Sequence, residues 1–129
     1  MDVPSFLPPS HTRLLFGLGF AVSLTRGRTD TAAGTSGEPA DALHKLVRAH
    51  GNTSEYVGML AVLILVLGIR EPTTWAVVAM VGATASRYVL ALGIVLSPTL
   101  EKAHPLRFLG ALGTYAFGLG LCLALLRSL

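Results

Sequence analysis

The chain has 129 residues, of which 52% are hydrophobic and only 13% charged. Soluble domains carry about 25% charged residues, which excludes a water-soluble globule and leaves a membrane protein. The formal net charge of +3 comes without a basic cluster interleaved with aromatics, so no nucleic acid is expected as a partner and the charge reads as a signal of membrane topology.

In chain order, the first expected span covers about residues 10–26. Its uninterrupted apolar core, Leu14 to Leu24, is shorter than a bilayer, and Pro8, Pro9, His11 and Arg13 precede it. A helix starting near Ser10, with Arg13 snorkelling outward, crosses a thin or locally thinned region. A signal peptide is the rival reading. It is disfavoured because no basic region precedes the prolines, and Arg26 and Arg28 stand where small residues would mark a cleavage site. Thr25 to Pro39 is a polar, small-residue loop without period, expected to be the most mobile part.

The second span is expected over 46–69, the third over 74–96 and the fourth over 106–126, each near the roughly 20 residues needed to cross. The second connection, Arg70-Glu71-Pro72-Thr73, is tight, and the third, Ser97 to Pro105, is bounded by Pro98 and Pro105. Short links between long apolar helices predict an all-α, integral membrane, antiparallel four-helix bundle forming one domain over 1–129. Arg26, Arg28, Lys45, Arg48, Lys102 and Arg107 lie on the side of loops one and three, against Arg70, Arg127 and Arg13 opposite. Loops one and three are therefore expected in the cytoplasm and both termini outside, in the inner membrane if the source is a prokaryote. Cys122 stands alone in the fourth span, where an inert structural thiol is expected.

Polar residues interrupt this apolar frame at chosen places. On a helix turning about 100° per residue, Arg48, Asn52 and Glu55 share one narrow stripe, with Asp41 and His44 above and Met59 below. A charge at the bilayer centre costs roughly 2.5 to 3.5 kcal/mol, so these groups need partners. Arg87 lies well inside the third span, and Glu55 is the only carboxylate at membrane depth. The two are expected to pair across helices two and three, an arrangement that would fix helix register as readily as serve chemistry. Gly82, Ser86 and Gly93 on helix three, and Gly110, Thr114 and Gly118 on helix four, make small-residue packing seams. Gly17-Leu18-Gly19 follows no strand and is no phosphate cradle.

His11, His44, His50 and His104 lack the spacing of a metal site, and no Ser/His/Asp arrangement is within reach. Arg107, at the start of helix four, would by itself be an interfacial anchor. With Arg48, Asn52 and Arg87 it can converge at the end of the bundle facing loops one and three. The result would be a positive, donor-rich pocket with apolar walls, suited to an anionic amphiphile or a carboxylated peptide-like ligand.

Arg48-Ala49-His50-Gly51-Asn52-Thr53-Ser54-Glu55-Tyr56 resembles the helix-two signature of the MAPEG family, the membrane-associated proteins in eicosanoid and glutathione metabolism, in its small bacterial form. Ala85 to Gly93 is similar to the family's helix-three arginine segment, and Pro105 to Gly110 to its helix-four entrance. The resemblance implies a homotrimer with glutathione, as co-substrate, between neighbouring subunits on the cytoplasmic side. It also implies that Arg48, Asn52, Glu55 and Tyr56 contact glutathione, that Arg87 supports Glu55, and that Arg26 and His50 contribute from the neighbouring subunit. Arg107 would take the place of the arginine that stabilises the glutathione thiolate, the catalytic role, for attack on a hydrophobic electrophile arriving from the bilayer. Leu90, Ile94 and Phe108 stand where well-studied catalytic members carry aromatic or hydroxyl-bearing residues, and Thr114 and Tyr115 lie about two turns beyond Arg107. The binding half of the site thus matches more closely than the catalytic half.

Three functions follow as expectations: a glutathione transferase or peroxidase acting on hydrophobic electrophiles, a non-catalytic membrane protein of the same fold, and a small proton-coupled exporter. The exporter is the weakest, because arginine and asparagine around Glu55 favour its charged form and make it a poor proton carrier.

Overall fold

A computed structural model describes residues 7–129, which form four helices without a strand: α1 Leu7–Thr29, α2 Ala42–Gly68, α3 Thr74–Leu96 and α4 Pro105–Arg127. The first six residues of the expected domain, which include most of the stretch ahead of the prolines judged to lack a basic region, lie outside the described residues. The third helix has the expected bounds and the fourth differs by one residue at each end. The first two begin earlier than expected for local reasons. Pro8 and Pro9 fall in the first turn of α1, where the missing N–H groups would have no intrahelical acceptor. Asp41 caps α2, its Oδ2 accepting from the His44 amide at 2.9 Å, which draws the helix start back to Ala42.

By length and apolarity α2, α3 and α4 can each cross a membrane. α1 matches α3 and α4 at 23 residues but dilutes its apolar stretch with His11, Arg13, Arg26 and Arg28. Each helix packs against its neighbour in the chain, most extensively α3 against α4, while α2 also meets α4 and α1 also meets α3. Among the described residues α1 and α4 do not touch, so the bundle is open along that side.

The seams form where small residues were expected. A Cβ at Gly93 would lie 2.7 Å from the Arg107 amide nitrogen, one at Gly82 would lie 2.6 Å from the Phe117 ring, and Gly110 lies directly against the Leu90 backbone. Lipid offers helices no hydrophobic gain on association, so this close van der Waals approach holds α3 to α4. Gly113, seated on the Ser86 side chain, belongs to the same seam, whereas a Cβ at Gly118 would meet Leu60 of α2 at an ordinary 3.8 Å.

Two apolar clusters result. Leu60, Ile64, Leu67, Ala76, Ala79, Met80, Ala83, Leu121 and Ala124 fill the end near the second link. A smaller cluster of Ala49, Leu90 and Ile94 lies toward loops one and three. Loop one is tied down at two points: Thr35 Oγ1 lies 2.8 Å from His44 Nδ1, and the Pro39 carbonyl accepts from the Leu100 amide at 2.9 Å. Cys122 sits on the exposed face of α4.

Candidate functional site

Arg87 occupies the level between the two clusters, with only 1% of its surface exposed. Its Nη2 donates to both the backbone oxygen of Asn52, at 2.9 Å, and Asn52 Oδ1, at 2.8 Å. Its guanidinium carbon lies 4.9 Å from the centroid of the Tyr56 ring, a cation–π contact on the face left free by the hydrogen bonds. The Nε and Nη1 atoms are buried without a hydrogen-bond partner.

The expected ion pair between Glu55 and Arg87 does not form. Glu55 is exposed, and the acceptors for Arg87 are an amide and a carbonyl. Helix geometry accounts for this: Asn52 and Tyr56 are one turn apart and both face α3, while Glu55 is rotated about 100° from Tyr56 toward the outside of the bundle. An acceptor pair from one residue, reinforced by a ring face, replaces the carboxylate.

Arg48, Asn52, Tyr56, Arg87 and Arg107 come together as the walls of one cavity of about 350 Å³. Leu90 and Ile94 of α3 and Phe108 and Ala111 of α4 supply its apolar surface, and loop three closes one side with Leu100, Ala103 and His104. Arg107 Nη1 donates to the carbonyls of Leu100 and Lys102, each at 3.1 Å, and thereby anchors that loop. Lys45 Nζ, on the first turn of α2, donates to the Ser97 carbonyl at 3.0 Å and ties the other end. On the same lining, the Tyr56 and Tyr115 hydroxyls lie 3.4 Å apart with their rings tilted at 60°, an exposed contact. Three guanidinium groups against an apolar wall, with a phenol pair on the lining, favour a ligand that carries carboxylates at one end and a less polar group at the other.

Glu55, His50 and Arg26 do not line this cavity. His50 packs on α1, where a Cβ at Gly19 would lie 3.2 Å from its Nε2. Arg26 reaches along loop one, its Nη2 donating to the Gly34 carbonyl at 3.5 Å. Conversely, His104 and Tyr115 stand in the cavity although neither was among the residues expected to converge there. The signal for them is the spacing His104, Arg107, Ala111, Tyr115, which repeats every three or four residues along one helical face.

A protein-family model, that of the MAPEG family, matches residues 12–127. The chain belongs to the MAPEG family. Membership agrees with an integral membrane protein of four helices, and the family includes glutathione-dependent transferases and peroxidases. No curated protein and no solved structure matches the chain. Within this MAPEG chain the helix-two signature supplies the residues that face the cavity, Arg48, Asn52 and Tyr56, and also one that faces away from it, Glu55.

Proposed function

We propose that this protein binds glutathione at the cavity between α2, α3 and α4 and uses it as co-substrate against hydrophobic electrophiles, as a membrane glutathione transferase or peroxidase. The observation that carries the reading is the convergence of Arg48, Asn52, Arg87 and Arg107 on one cavity in a chain of the MAPEG family. Arg48 at the rim offers a fork of donors to a glutathione carboxylate, and Asn52 and Tyr56 offer polar contacts to its peptide backbone. Arg87 positions them both, through the Asn52 hydrogen bonds and the Tyr56 ring.

Arg107, on the α4 wall, holds the thiolate. Its charge stabilises sulfur after the thiol proton leaves for solvent, and the sulfur then bonds to an electrophilic carbon whose leaving group or ring oxygen takes the displaced electron pair. The apolar wall from Leu90 to Phe108 admits the electrophile from the lipid side.

Glu55, Arg26 and His50 belong to this site through a neighbouring copy. Below Glu55, α2 exposes Met59, Val62 and Leu65 on the same side, with Met59 67% exposed, a stripe that a homotrimer would cover while bringing ligand contacts across the interface. Loops one and three face the cytoplasm in this reading, in the inner membrane if the source is a prokaryote. A non-catalytic binder of the same fold is the second reading. It is favoured by the use of Arg107 Nη1 on two loop carbonyls, which engages part of that guanidinium in structure.

Calorimetric titration of glutathione into detergent-purified protein tests the proposal. Saturable binding that Arg48→Leu weakens by about tenfold, the worth of one charge-assisted hydrogen bond, is the expected result. Absence of binding by the wild type refutes it.

A further inference from the structure

The end of the bundle away from the candidate site holds a second cavity, of about 320 Å³. It lies between the link from Arg70 to Thr73, Trp75 in the first turn of α3, and Arg127 and Ser128 where α4 ends. Three charged side chains line it, Arg70, Glu71 and Arg127, and none of them forms an ion pair among the described residues. Arg70 is held in place by donating from Nη1 to the Ser128 carbonyl at 3.1 Å, which joins the link to the end of α4. Glu71 has left-handed backbone, with φ 52°, a conformation that glycine or asparagine would adopt more readily. Ile69, Leu126 and Leu129 are exposed around the same end, and Trp75 is the kind of side chain that settles at a membrane interface.

We propose that this cavity seats the headgroup of a zwitterionic aminophospholipid. Its phosphate lies between Arg127 and Arg70, its primary ammonium reaches Glu71, and its acyl chains run along Ile69 and Leu126. The charge pattern selects this chemistry. Two guanidinium groups share the cavity with a single carboxylate that pairs with neither, which leaves an excess positive charge, and a phosphodiester supplies the missing anion with acceptors in the geometry arginine prefers. A free phosphate or an anionic lipid would meet the same need but would set a second negative charge facing the Glu71 carboxylate. An ammonium two carbons from the phosphate oxygen neutralises that carboxylate and donates hydrogen bonds to it. A quaternary choline headgroup has the charge but no N–H to donate. The site is independent of glutathione, since it lies at the opposite end of α3 and α4.

Native mass spectrometry of the full chain, exchanged into micelles containing phosphatidylethanolamine, phosphatidylglycerol or phosphatidylcholine, counts the lipid retained. The wild type should retain phosphatidylethanolamine in preference to the other two. Arg127→Gln should lower that retention about fivefold, the worth of one interfacial basic residue. Glu71→Gln should bring the ratio of phosphatidylethanolamine to phosphatidylglycerol to about one, because only the ammonium contact distinguishes them. Retention that persists in excess inorganic phosphate supports a lipid occupant, whereas displacement by phosphate assigns the cavity to a free anion and overturns the proposal. Equal retention of the two lipids by the wild type also overturns it and requires no variant to fold. An unchanged ratio in a Glu71→Gln protein whose helical circular dichroism is intact overturns it equally.

Discussion

The two halves of the bundle solve different problems with the same helices. Toward the second link, α2, α3 and α4 meet through Ile64, Met80, Ala83 and Leu121, all with no exposed surface. Toward loops one and three, α3 and α4 stay in close contact through Gly93 and Gly110, and the cavity they form with α2 is faced with arginine, asparagine and tyrosine. Arg87 marks the boundary and is held by one residue of α2 and one ring rather than by an opposite charge. The difference teaches that a buried cation in this bundle is accommodated by neutral acceptors, which leaves the carboxylate of Glu55 free to face outward.

If the dry half carries stability and the polar half carries binding, substitutions should separate the two. The largest loss of stability is expected for Ile64→Ala, about 3 kcal/mol from the transfer and cavity terms of a fully packed aliphatic side chain. Thermal unfolding in detergent measures it, and glutathione affinity below the transition should stay at the wild-type value. Asn52→Ala should cost less, about 2 kcal/mol for hydrogen bonds to a charged group, yet it should also reduce glutathione binding, because it releases Arg87 and removes a cavity contact together. Equal affinity in Asn52→Ala and Ile64→Ala would erase the distinction between the halves. Glu55→Gln is expected to change the stability of the single subunit by no more than about 0.5 kcal/mol, since Glu55 is exposed within it. Its loss should add to that of Arg87→Leu without coupling, since a double-mutant cycle reads an interaction only where side chains meet.

The architecture was legible because its signals are long and periodic. Three apolar stretches of membrane length, separated by short links that contain prolines, specify α2, α3 and α4 to within about four residues, the largest miss being the start of α2, where the Asp41 cap went unread. α1 was read short because proline was treated as a boundary, whereas the first turn of a helix has no hydrogen bonds for proline to break. The convergence of Arg48, Asn52, Arg87 and Arg107 followed from helical spacing and from the cost of polar groups at membrane depth. The partner of Arg87 did not, because the reading matched charge to charge. A side-chain amide, a second lone pair on a helix carbonyl and a ring face are also acceptors, and which of them a guanidinium meets depends on a rotation of about 100° that composition does not fix. His104 was missed for a related reason: the helix N-cap continues the cavity face of α4 by one turn, so a loop residue became part of the wall.

The central claim is that the cavity binds glutathione and that Arg107 acts on its sulfur. Ultraviolet difference absorbance of the glutathione thiolate, recorded across pH with wild type and Arg107→Leu, tests both parts in one measurement. A free thiol of this kind ionises near pH ~8.5. The wild type should therefore develop the bound thiolate band well below that pH, and Arg107→Leu should lose the band while calorimetry still detects glutathione. A band of equal strength in both proteins would remove Arg107 from the chemistry. Binding by the wild type with no band at any pH below that of the free thiol would contradict the claim and leave a glutathione binder without catalysis.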